Sequence, residues 1–162
     1  ATQRKKTKEW FYSDVEYALL GLIEGMRSQA EMMLLDSVDS LRAQVRFMAL
    51  SHFIYSSSGS DYPEVGSEHV LAASIESMHD DVAHGQAVSI AIPICLRLMG
   101  RSDGDALELL KAFNLPTKFS DIGICEPKIA CIASHALKHS SFPCVIGDTT
   151  ESDLMKEIKW QL

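Results

Sequence analysis

The sequence lacks the features that mark several large protein classes. It has four cysteines, Cys95, Cys125, Cys131 and Cys144, and no two of them stand in a CxxC pair. That number and spacing do not build a disulfide framework, which points to a reducing, cytoplasmic setting. Long apolar runs are missing too. The longest, Ala87 to Leu98, is broken by Ser89, Pro93 and Arg97. It is too short and too polar to span a bilayer, so no membrane role is expected, and no signal peptide is expected either. No Gly-rich nucleotide fingerprint occurs: Gly100-Arg101-Ser102-Asp103-Gly104 reads as a turn between helices. No Ser-His-Asp set, internal repeat or low-complexity tract is legible, and no strand signal is strong enough to build a sheet.

Positive charge is also scarce. The net charge is −7, and it is uneven. Residues 1–9 hold Arg4, Lys5, Lys6 and Lys8 against Glu9, a balance of +3, which leaves 11 basic against 21 acidic residues beyond them, or −10. An acidic body argues against a nucleic-acid surface, which needs clustered Lys and Arg. The basic start reads as a solvated tail or linker.

What is present is helical periodicity. With 162 residues and 46% hydrophobic content the chain has material for one buried core. Residues 1–9 are read as the tail and 10–162 as one helical domain. Trp10 to Leu35 carries Val15, Leu19, Leu22, Ile23 and Met26 at helical spacing. Gly21 and Gly25 lie four apart, where another backbone can approach. Asp36 is expected to cap a second helix with Leu41, Val45, Met48, His52 and Tyr55 on one stripe, His52 as a core histidine. The Ser56–Gly66 segment, rich in serine and interrupted by Gly59 and Pro63, must be a loop. Ser67 is expected to cap the next helix. His84 opens another, with Val88, Ile90, Ile92, Ile94, Cys95 and Leu98 inward and Pro93 as a kink. Asp103 or Asp105 caps a helix through Phe113. A short turn runs to Ile122, Glu126-Pro127 starts a helix to His139, Phe142 to Ile146 is extended, and Thr149-Thr150-Glu151-Ser152 starts the last helix. The expected fold is an all-α multi-helix bundle of about seven to nine helices.

Two histidines stand out. His69 lies in Gly66-Ser67-Glu68-His69 and His84 in His84-Gly85-Gln86-Ala87-Val88, each where a helix begins beside small residues. Neutral imidazole is the commonest ligand for divalent transition metals, so a pair on two neighbouring helix starts is a candidate metal site. Read on spacing alone, the pair fits ordinary polar residues at helix ends better than a metal site. Glu68 is either a partner of the adjoining histidine or a solvent-facing acid favoured by the helix dipole. His79 is expected to be exposed in the link between the two helices. Cys131, His135 and His139 fall at i, i+4, i+8 on one helix, a spacing that matches no zinc motif.

The stretch from Ser56 to Gly100 resembles the metal-dependent polyol dehydrogenase superfamily. That group holds glycerol dehydrogenases, iron-containing alcohol dehydrogenases, glycerol-1-phosphate dehydrogenases and, more distantly, dehydroquinate synthases. Ser58-Gly59-Ser60-Asp61-Tyr62-Pro63-Glu64-Val65-Gly66-Ser67-Glu68-His69 looks most like the glycerol-1-phosphate dehydrogenase version of the first histidine motif, and His84-Gly85-Gln86-Ala87-Val88-Ser89-Ile90 like the second. Asn114-Leu115-Pro116-Thr117, Asp121-Ile122-Gly123-Ile124 and Asp148-Thr149-Thr150-Glu151-Ser152-Asp153-Leu154 follow in the order common to the alcohol dehydrogenase branch. The likeness covers roughly residues 10–162.

The resemblance implies a dehydroquinate synthase-like helical domain that lacks its nucleotide-binding α/β partner domain. It implies His69 and His84 as ligands of a divalent metal, Zn or Fe, with Glu68 and Gln86 around them; Ser57, Ser58, Gly59 and Ser60 either hydrogen-bond a substrate hydroxyl or phosphate or are plain loop. Gln86 stands where the family usually has Glu, and no Gly-Asp pair lies ahead of Trp10 to supply the family's acidic ligand. The implied function is the metal-binding half of an NAD(P)-dependent alcohol or polyol dehydrogenase, a glycerol phosphate included, in which the metal polarises the substrate hydroxyl for hydride transfer. The nucleotide-binding domain would lie upstream or on another chain, with homo-oligomers compatible, and an exposed apolar face is expected where that domain belongs. A second reading is a sugar-phosphate cyclase, a lyase of the dehydroquinate synthase type. That branch tends to carry another histidine four residues after the first ligand, where this chain has Ala73. A third is a non-catalytic helical interaction domain.

Overall fold

The computed structural model describes residues 13–57, 66–139 and 149–161. Among these, eight α-helices and one 3-10 turn form, with no strand. The all-α expectation therefore holds. The chain divides into two compact units, one within Glu9–Glu64 and one from Val65 onward.

The first unit contains α1 (Ser13–Ser28), α2 (Ala30–Met33) and α3 (Val38–Ser57). The single helix expected over 10–35 is interrupted. Ser28 Oγ and Gln29 Nε2 both donate to the Gly25 carbonyl, at 2.9 and 3.3 Å. Side chains thereby compete with the backbone for that acceptor and the helix stops. Ser37, not Asp36, caps α3: its hydroxyl accepts the Ser40 amide at 3.1 Å. The Met33 carbonyl at the end of α2 would lack a helical partner. Ser40 Oγ at 2.6 Å and Gln44 Nε2 at 2.9 Å donate to it instead.

That capture fixes which face of α3 turns inward. Ser40, Ala43 and Phe47 are buried, and Gly25 lies against the Phe47 ring. The expected inward stripe is corrected: Leu41, Val45 and Met48 are 60%, 56% and 70% exposed. His52 is exposed as well, with Nδ1 bonded to the Tyr55 hydroxyl, and is not a core histidine.

The second unit contains α4 (Ser67–Glu76), α5 (His84–Leu98), α6 (Gly104–Ala112), a 3-10 turn (Phe119–Ile122), α7 (Glu126–His139) and α8 (Glu151–Lys159). Its core is branched aliphatic. Leu71 and Ile75 of α4 meet Ile90 and Ile94 of α5, Ile129 and Ile132 of α7, and Leu154 and Ile158 of α8, all fully buried around Phe119. Val88, Ile92 and Leu98, expected on the buried face, are half-buried, with Val88 and Leu98 packed against this core. Helix ends close by chemistry visible in the sequence. Asn114 and Gly123 adopt positive φ, and the following amides, Leu115 and Ile124, reach back to the Leu110 and Phe119 carbonyls. Thr150 caps α8 through the Asp153 amide. Asp103 occupies the position before α6, but its carboxylate holds Arg97 instead of capping. The 142–146 segment lies outside the described residues. Among the described residues no helix is long and apolar enough to cross a membrane.

Candidate metal centre

Two helix starts of the second unit build this site. At the first, Gly66 precedes α4 in extended conformation and Ser67 is the first helical residue, so the capping role expected of Ser67 passes elsewhere. Glu68 Oε1 accepts the Gly66 amide at 2.9 Å. A carboxylate there satisfies one orphan donor and complements the helix dipole. The same oxygen lies 3.0 Å from His69 Nδ1. At the second start, Ala83 precedes α5 and His84 is its first residue. Glu76, the last residue of α4, places Oε1 at 2.6 Å from His84 Nδ1.

Ionised carboxylates accept hydrogen bonds and donate none, so in a neutral ring this contact selects the Nδ1–H tautomer and leaves the lone pair on Nε2. The two rings then face the requirement of shared chelation. Their centroids lie 5.4 Å apart with a 46° tilt. Two imidazoles sharing one zinc ion through nitrogen at about 2.0–2.1 Å, with near-tetrahedral angles, have centroids roughly 5 Å apart. The observed separation is close to that value, and each ring has a carboxylate at its Nδ1. Among the described residues no third His, Cys, Asp or Glu joins them in metal-holding geometry.

The other expected site residues fall as follows. Gln86 Oε1 accepts the Ala83 amide at 3.1 Å and secures the start of α5. Ser58, Gly59 and Ser60 lie outside the described residues. The neighbouring Ser57 hydroxyl is engaged by the Ile54 carbonyl of its own helix. His79 is half-buried in the turn between α4 and α5. His135 places Nδ1 3.1 Å from Ser74 Oγ on α4, while Cys125 and Cys131 are exposed. Glu76 is the residue that motif reading passed over. A turn and eight positions separate it from His84, so no linear motif joins them. Its signal is the i, i+7 spacing from His69, which puts both on one face of α4.

No family model matches this chain. Among curated proteins it is similar to glycerol-1-phosphate dehydrogenases, named as NAD(P)+ enzymes, from Saccharolobus islandicus strains L.S.2.15 and M.14.25. In each the match is 29% identical over 94 residues, 56% of this chain and 26% of the relative. The chain thus spans about a quarter of the length of the curated relatives it matches.

Proposed function

We propose that this chain is the helical, metal-binding part of an NAD(P)-dependent polyol dehydrogenase whose substrate class includes glycerol phosphates. The observation that carries the reading is the paired imidazoles, 5.4 Å apart and each backed by a carboxylate. The similarity to named glycerol-1-phosphate dehydrogenases favours this over the cyclase reading.

In this reading His69 and His84 hold one Zn or Fe ion through Nε2, and Glu68 and Glu76 hold the two rings. A divalent cation held there would supply positive charge that favours deprotonation of a substrate hydroxyl, the chemistry an NAD(P)-linked alcohol oxidation needs. The acidic third ligand and the nicotinamide site come from outside the described residues, on a nucleotide-binding domain of the same or another chain. The full-length protein, supplied with NAD+ or NADP+, should oxidise glycerol 1-phosphate, glycerol or a simple alcohol, and chelation should abolish the activity. Release of phosphate or ring closure of a sugar phosphate, without net nicotinamide reduction, would sink the dehydrogenase reading in favour of the cyclase.

A further inference from the structure

We propose that Glu76 is the positioning residue of His84: its carboxylate locks the imidazole in the Nδ1–H tautomer and so offers Nε2 to the cation. This deepens the metal reading above and rests on it. The contact crosses from one helix to the next, from the last residue of α4 to the first of α5, at 2.6 Å. Helix stability does not explain the placement of Glu76. A carboxylate at a helix C-terminus meets the negative end of the dipole, and α4 has no basic residue in its last turn. Among the described residues its ion-pair partner is His84. The acid is about two-thirds shielded while the imidazole is 59% exposed, so the fixed element is the carboxylate and the presented one the ring.

Gln86 is committed to the Ala83 amide. Glu68 serves His69 and the Gly66 amide with one oxygen. Each imidazole therefore has its own acid, and removing Glu76 frees the His84 ring alone. A carboxylate on Nδ1 also raises the donor strength of Nε2, and loss of such a partner typically weakens metal affinity roughly 10–100-fold.

Long-range proton–nitrogen NMR spectra of the metal-free full-length protein, taken where imidazoles are neutral, read the tautomers directly. Wild type should show His84 as Nδ1–H. Glu76→Ala should shift His84 toward Nε2–H and leave His69 unchanged. Glu76→Gln keeps an acceptor oxygen and should retain the tautomer, which guards against a misfolded alanine variant. Zinc affinity, measured by competition with a chromophoric chelator, should fall roughly 10–100-fold in Glu76→Ala. An unchanged tautomer or an unchanged affinity in that variant overturns the proposal. If His84→Ala still loses zinc in that case, the metal reading stands without it. If His84→Ala binds zinc like wild type, the metal reading itself fails and takes this proposal with it.

Discussion

Glu68 accepts the Gly66 amide with the same oxygen that lies 3.0 Å from His69 Nδ1. One atom thus ties the start of α4 to a candidate ligand. A Cβ built on Gly66 would sit 2.5 Å from the other carboxylate oxygen of Glu68. The backbone of Gly66 tolerates any residue, so the conflict is with the carboxylate alone. Gly66→Ala should push the Glu68 carboxylate aside and loosen His69. Zinc affinity should drop by roughly tenfold or more, while the melting temperature stays within a few degrees of wild type. Equal affinities in titrations of the two proteins would count against the role of Glu68.

Arg97 joins three parts of the second unit. Its Nε lies 2.8 Å from Glu157 Oε2, Nη1 pairs with Asp103, Nη2 donates to the Glu157 carbonyl at 3.1 Å, and the guanidinium stacks on Trp160. All three charged side chains are less than a quarter exposed. Arg97→Ala leaves two shielded carboxylates facing each other's surroundings without a cation and should cost about 2 kcal/mol. Arg97→Lys should recover less than half of that, because one ammonium cannot fork to both acids. Urea unfolding midpoints at constant slope decide the matter.

Ser40 is 1% exposed and donates to the Met33 carbonyl, which Gln44 also serves. With one donor remaining, Ser40→Ala should cost about 1 kcal/mol. The double variant Ser40→Ala, Gln44→Leu strands the carbonyl and should cost more than the two singles together. Simple additivity in denaturant titrations would show that the Met33 carbonyl is satisfied in some other way.

Legibility followed local chemistry. The α7 and α8 starts were readable because Pro127 and Thr150 act within a few residues of themselves. The proximity of His69 and His84 was readable because both fall in short motifs at helix starts. The inward face of α3 was not. Periodicity selects the most apolar stripe, Leu41, Val45 and Met48, but the α2 carbonyl draws Ser40 inward, with Ala43 and Phe47 on the same face, and that stripe faces out. The break after Ser28 has no sequence signature of its own, because it depends on two side chains converging on one carbonyl. Glu76 escaped because its partner lies on the next helix.

The central claim is that His69 and His84 share one cation. X-ray absorption at the metal edge of the full-length protein tests it most directly. The account expects about two imidazole nitrogens in the first coordination shell at about 2.0–2.1 Å for zinc, and one fewer in each of His69→Ala and His84→Ala, with metal content reduced. A metal shell without imidazole, or one unchanged in both variants, would contradict it.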